Sequence, residues 1–112
     1  MVATADIAEL ELRAAEATKL LGALANERRL LIMCQIAGSE MSVGEIQECV
    51  GISQSALSQH LAVLREQGLV STRRESQTIY YKLASPEAQR LIETLAEIYC
   101  PPVPRPSKKK RV

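Results

Sequence analysis

The sequence has 112 residues, a formal net charge of +1 and 46% hydrophobic residues, of which only 3% of the chain is aromatic, with no Trp and no Phe. That length is one domain's worth, and its core must be built from Leu, Ile, Val and Ala, a composition suited to helices packed on helices. No run of about 18 apolar residues exists to span a membrane. No charged n-region followed by an apolar stretch marks a secretory leader, and an odd number of cysteines, three, argues for a reducing cytoplasm rather than a disulfide framework.

Ile7, Leu10, Ala14, Ala17, Leu20, Leu21 and Leu24 recur with a helical period, which predicts one or two helices over residues 5–24. Such an amphipathic segment ahead of a small core either forms a dimer seam or caps the domain's own interior. Asn26 is placed to cap a helix over 27–37 that carries Leu30, Leu31, Cys34 and Ile36 and ends near Gly38. Ser42 with Glu45 three positions on is a capping box, which opens a short helix over 43–50. Gly51 supplies a tight turn, and Ser53 caps the next helix, 54–67, which stops at Gly68. Two short helices joined by a turn of about three residues centred on Gly make a helix-turn-helix.

Residues 69–74 and 78–83 read as two strands joined by a turn at 75–77, a β-hairpin that follows the second helix as a wing. Ser85 and Pro86 open a last helix, with Ala88, Leu91, Ile92, Leu95 and Ile98 on one face and Pro101-Pro102 at its end. The fold class is therefore mainly α (α+β), a winged helix-turn-helix with a two-stranded wing, in one domain over 1–100. Residues 101–112 form a Pro-rich tail that holds five cations between 105 and 111, so the rest of the chain is net negative. The tail reads as disordered and solvated, although Lys108 to Arg111 taken alone resembles a nuclear localisation run.

On a helical wheel, Leu57, Leu61 and Leu64 face the core, and Ser55, Ser58, Gln59 and Ala62 face outward. That outer face is small and polar, without an acid until Glu66, which suits entry into a major groove; Gln presents paired donors and acceptors to base edges, and Ser pairs with either kind. Ser53, Gln54 and Ser55 lie at the helix N-terminus, where base and phosphate contacts concentrate. His60 flanks the core stripe, either packed there or touching phosphate. In the wing, Arg73 and Arg74 point to opposite faces, so at most one of them enters a groove, and Gln77 at the tip reaches a minor-groove edge or a phosphate. Charges that merely solvate a hairpin edge are the plainer alternative.

The segments LGALANERRL (21–30), SQSALSQHLAVL (53–64), REQGLV (65–70) and RRESQTIYYKL (73–83) together resemble the ArsR/SmtB family of repressors over residues 15–100. The resemblance implies a homodimer, paired through terminal helices, that binds palindromic double-stranded operator DNA and releases it on sensing a chemical signal. Metal-sensing members carry a Cys-x-Cys motif in the helix at 27–37, or Asp, His and Glu in the last helix. This chain has Cys34 alone in the former and neither His nor Asp in the latter. No metal site or cofactor is therefore expected within a protomer.

Cys34 and Cys100, 66 positions apart, with the segments NERRLLIMCQI and EIYCPP, resemble the persulfide-sensing BigR/SqrR/YgaV subgroup of that family. That resemblance implies a pair of sensing thiols which reactive sulfur species bridge, releasing the operator. Arg28 or Arg29 would lower the Cys34 pKa if it pointed the same way. The plainer reading of Cys34 is a small buried hydrophobe among Leu31, Met33 and Ile36. Cys49 has no evident partner. A metal-responsive repressor sharing thiolates between protomers is the nearest alternative. An enzyme is disfavoured, because no His or paired carboxylate accompanies Cys34 and no Gly-rich phosphate loop exists.

Overall fold

The computed structural model describes residues 4–100, with side chains from Ile7 onward. The basic tail expected over 101–112 lies outside the described residues. In chain order the elements are α1 (Thr4–Leu12), α2 (Ala14–Leu24), α3 (Glu27–Gly38), β1 (Met41–Ser42), α4 (Val43–Val50), α5 (Gln54–Glu66), β2 (Val70–Glu75), β3 (Thr78–Leu83) and α6 (Pro86–Tyr99).

The helix boundaries follow from local chemistry. Asn26 accepts from the Arg29 N–H, Ser53 from Ala56 and Ser85 from Ala88, each satisfying a donor that the first helical turn leaves open. At α4 the capping box is complete: Ser42 Oγ accepts from the Glu45 N–H at 3.2 Å, and Glu45 Oε1 accepts from the Ser42 N–H at 2.8 Å. The α5 helix ends in a Schellman motif. Gly68 sits at φ 74°, its N–H reaches the Arg65 carbonyl, and the Leu69 N–H reaches Leu64. Leu64 and Leu69 are both buried, supplying the apolar contact that accompanies this motif. Gly51 takes the same left-handed conformation at φ 73° between α4 and α5, in the helix-turn-helix turn.

The three core-facing leucines of α5 lie at 0–3% exposure, and they pack with Ile32, Met33 and Ile36 of α3, Ile46 of α4 and Ile92 of α6. Each such side chain contributes about 1.5–3 kcal/mol through burial. No charged or polar side chain among the described residues is buried with them.

Two expectations are adjusted. The wing is more than a hairpin: β1 adds a third antiparallel strand, in the order β1-β3-β2, with Met41 opposite Tyr81 and Ser42 opposite Tyr80. The first wing strand also runs from Val70 through Glu75, because Glu75 pairs with Thr78 and closes a two-residue turn, Ser76-Gln77. Ser76 takes φ 58° there, the left-handed region that hairpin turns of this length require. The amphipathic N-terminal segment breaks at Arg13 into two helices. Its Ala23 and Leu24 join the core, but Ile7, Leu10, Leu12 and Leu21 stay exposed.

Candidate nucleic-acid interface and thiol pair

Exposure around α5 follows the helical wheel. Gln54, Ser55, Ser58, Gln59 and Ala62 are exposed, and Ala56, His60 and Val63 are half-buried on one flank. Ser53 Oγ both caps the helix and lies 3.4 Å from Ser55 Oγ. The other flank of α5 faces the wing across a groove of about 920 Å³, where Gln54, Ser58 and Arg65 look toward Gln77, Thr78 and Ile79. The fold thus brings Gln77 to the same groove as Gln54 and Ser58, while Ser55 and Gln59 stand outside it on the crest of the helix. Arg65 and Thr78 were not distinguished in the sequence; an Arg in the last turn of a helix is too common to signal a site.

His60 lies close to the start of α3. Its partial burial, and then Arg29 and Arg28, push the imidazole below its ordinary pKa. Arg29 itself is turned backward. Its Nε donates to the Ala23 carbonyl at 2.9 Å and Nη2 to Gly22 at 3.4 Å, which closes the carbonyl end of α2.

The two wing arginines part as strand geometry requires. Arg74 is directly opposite Ile79, so it shares the sheet face that carries Tyr81 and looks toward α5. Arg73 is opposite Tyr80 on the other face. Its guanidinium donates from Nη2 and Nε to the two Glu40 oxygens at 2.8 and 3.1 Å, and from Nη1 to Glu75 at 3.0 Å. It also stacks on the Tyr80 ring, 4.6 Å from the centroid. Arg74 makes no hydrogen bond or ion pair among the described residues.

All three cysteines are exposed, so Cys34 does not serve as a buried hydrophobe. Cys100 caps the C-terminus of α6, its N–H bonded to the Ala96 carbonyl at 2.7 Å. Helices α3 and α6 pack together, and Cys34 and Cys100 come within electrostatic range of each other. The Cys34 sulfur is partly desolvated although the residue is exposed, and that desolvation first, and the Cys100 sulfur second, raise its thiol pKa. No arginine contributes, which overturns the expectation that Arg28 or Arg29 depresses it; Arg29 points to α2 instead. Cys49 is on α4, exposed at its surface. Among the described residues, no three His, Cys, Asp or Glu side chains converge to hold a metal ion. No helix among them is long and apolar enough to cross a membrane.

Comparison with known proteins places this architecture. Residues 26–72 match the model of the bacterial regulatory protein, arsR family. The chain is 52% identical over 95 residues to the transcriptional activator HlyU of Vibrio cholerae, covering 85% of this chain and 88% of that protein. It is 50% identical over 93 residues to the biofilm growth-associated repressor of Agrobacterium fabrum, covering 83% of this chain and 80% of that protein. The solved structure of reduced HlyU from Vibrio cholerae superposes with a TM-score of 0.79 at 53% identity, over 82% of this chain and 97% of that one. The chain belongs to the arsR family of bacterial regulatory proteins, winged helix-turn-helix transcriptional regulators that bind DNA and are not enzymes.

Proposed function

We propose that the protein is a cytoplasmic repressor that holds operator DNA as a homodimer and releases it when reactive sulfur species, or oxidation, join Cys34 to Cys100. The DNA face consists of Ser53, Gln54, Ser55, Ser58 and Gln59 in the major groove, with Gln77 and one wing arginine on the flanking backbone or minor groove. Arg74 takes that last role, because Arg73 is held by two carboxylates. His60 sits on the flank of α5 where a phosphate would meet Arg28 as well. The dimer seam uses the apolar residues left exposed on the terminal helices: Ile7, Leu10 and Leu21 on one side, Ile98 and Tyr99 on the other.

The observation that carries the switch is the packing of α3 against α6, which leaves Cys34 and Cys100, 66 positions apart, near enough for the Cys100 sulfur to bear on the Cys34 thiol. Cys100 is the exposed first nucleophile. Its thiolate attacks the sulfane sulfur of a glutathione persulfide, releasing glutathione thiolate and leaving Cys100 as a persulfide. Cys34, with its raised pKa, is the resolving thiol. Its attack on the inner sulfur expels hydrogen sulfide and closes a disulfide, so two thiols are oxidised as one sulfane sulfur is reduced. If a further persulfide equivalent first extends Cys100 by one sulfur, attack on the middle sulfur again expels hydrogen sulfide and leaves a trisulfide. A sulfur chain spans sites too far apart for a direct disulfide, which needs Cα atoms within about 7 Å. Either bridge ties the end of α6 to α3 beside the proposed seam. Operator half-sites lie about 34 Å apart, so a small change in the spacing of the two α5 helices weakens binding. A relative whose structure is described as its reduced form supports redox state as a variable that matters.

The test is fluorescence anisotropy on duplex DNA from the gene's own upstream region, with reduced protein and with protein treated with glutathione persulfide. Tight binding when reduced, loss on treatment, and retention of binding by treated Cys34→Ser and Cys100→Ser support the switch. Release by either treated mutant refutes the two-thiol mechanism. Binding that ignores persulfide but is lost on stoichiometric uptake of zinc, cadmium or copper(I) moves the thiols to metal sensing.

A further inference from the structure

Glu40 lies on the sheet face opposite the one that looks toward α5, beside Tyr80 and Arg73. It lies between α3 and β1, one residue before a strand of only two residues. Arg73 lies two strands away, on β2 at the sheet's far edge. Ser42 on β1, Tyr80 on β3 and Arg73 on β2 occupy one cross-strand row, and Glu40 shares the face of Ser42 two positions before it. The Arg73 side chain lies over the Tyr80 ring and grips both Glu40 oxygens at 2.8 and 3.1 Å, while Glu75 holds the third guanidinium nitrogen at 3.0 Å. Lys82 adds its charge near Glu40 on the same side.

We infer that Glu40 and Arg73 form a strut that sets the pitch of the wing against the helix-turn-helix, so that Glu40 is a positioning residue for DNA binding. The inference rests on the DNA-binding reading above. Most exposed ion pairs contribute little, since two mobile side chains must be held for a screened attraction. This pair differs in geometry: a planar two-point fork, a second carboxylate and a stacked ring orient a guanidinium whose side chain is 49% exposed. Its ends are also placed to matter. Two residues beyond Glu40, Ser42 opens the capping box of α4, the first helix of the helix-turn-helix. Two residues beyond Arg73, Glu75 closes the wing turn. A two-stranded ribbon alone is barely stable in water; here Val70 and Tyr81 anchor one face of the sheet in the core, and the short β1 ladder and the strut add a tie on the other face.

The measurement is the affinity of reduced protein for the upstream duplex across a salt series, for the unaltered chain, Glu40→Gln, Arg73→Gln and the double mutant. Loss of a fork of this kind is about two- to fivefold per protomer, hence about four- to 25-fold for a dimer. Glu40→Gln is expected to weaken binding by that factor, although it removes a negative charge. Arg73→Gln is expected to match it with no change in salt slope, and the double mutant to be no worse than either single one. Backbone amides of β2 and β3 are expected to exchange hydrogen faster in Glu40→Gln. Tighter or unchanged binding by Glu40→Gln overturns the inference. So does a salt slope lowered by about 1.8 in Arg73→Gln, the loss of one phosphate contact per protomer. If the unaltered chain binds no duplex, the DNA reading has failed on its own, and hydrogen exchange decides the strut: unchanged exchange in Glu40→Gln refutes it.

Discussion

Ser53 stands at the point where stability and recognition meet, and three substitutions separate the two. Its hydroxyl accepts from the Ala56 N–H at 3.1 Å and is the only side-chain cap on α5. Ser53→Ala leaves that donor without its side-chain partner, which costs about 1 kcal/mol within a range of about 0.5–2. For a domain of this size that lowers the melting temperature by roughly 4–8 °C per kcal/mol, read by circular dichroism at one fixed protomer concentration because dimerisation shifts the midpoint. Ser53→Asn keeps the cap and is expected to keep stability. Ser53→Asp also caps, and its charge suits the positive end of the helix, so its melting temperature stays within about 2 °C of the unaltered chain. The same charge faces phosphate in the complex, twice per dimer, and affinity is expected to fall more than about tenfold, most steeply at low salt. An unchanged melting temperature in Ser53→Ala would refute the role of the cap. An Asp variant that binds DNA as tightly as Ser would refute the approach of this helix terminus to the backbone.

Three further outcomes follow from the structure. Burial, and secondarily Cys100, raise the Cys34 thiol pKa from an ordinary 9.0, so the pH midpoint for alkylation of Cys34 lies above that value and falls, but not fully, in Cys100→Ser; mass spectrometry of alkylated peptides reads it, and a midpoint indifferent to Cys100 means the sulfurs do not sense each other. Ser76 holds φ 58°, a conformation disfavoured by about 1–2 kcal/mol for residues with a Cβ, so Ser76→Gly is expected to raise the melting temperature by a few degrees and Ser76→Val to lower it; the reverse order refutes strain at this turn. Ile98 and Tyr99 are 60% and 77% exposed on one protomer, so Ile98→Glu with Tyr99→Glu is expected to give monomers in sedimentation equilibrium while the far-ultraviolet spectrum stays helical; persistence of the dimer places the seam elsewhere.

The starts of α3, α4, α5 and α6 were legible because each of these four helices is opened by a residue whose side chain can act only locally. Asn26, Ser42, Ser53 and Ser85 each accept from an N–H three positions on, an arrangement set by spacing alone. The outward face of α5 was legible for the same kind of reason, since Leu57, Leu61 and Leu64 fix which side is inward. What escaped depends on partners distant in sequence. A two-residue strand such as β1 has no period to detect, and it exists only because Tyr80 and Tyr81 offer it a ladder. Arg73 carries no local mark of its tie to Glu40, 33 positions away. The direction of Arg29 was likewise undetermined: spacing placed it one or two turns before Cys34, but the open carbonyls at the end of α2 drew it the other way.

The thiol pair shows where sequence reasoning and tertiary structure divide the work. Resemblance to a family subgroup could name Cys34 and Cys100 as a pair, but only the packing of α3 against α6 brings their sulfurs into range. That packing buries Ala88 and Ile92 in the first half of α6 and leaves Ile98, Tyr99 and Cys100 exposed in its last turn. The helix is therefore anchored at one end only within the protomer. A covalent bridge from its free end to α3 acts where the protomer's own core supplies least restraint, and beside the apolar residues proposed to meet the partner. A link placed between two buried positions would instead meet a packed core that resists displacement. Position at the loosely held end of α6 is what would let a change of one or two sulfur atoms reach the spacing of two DNA-reading helices.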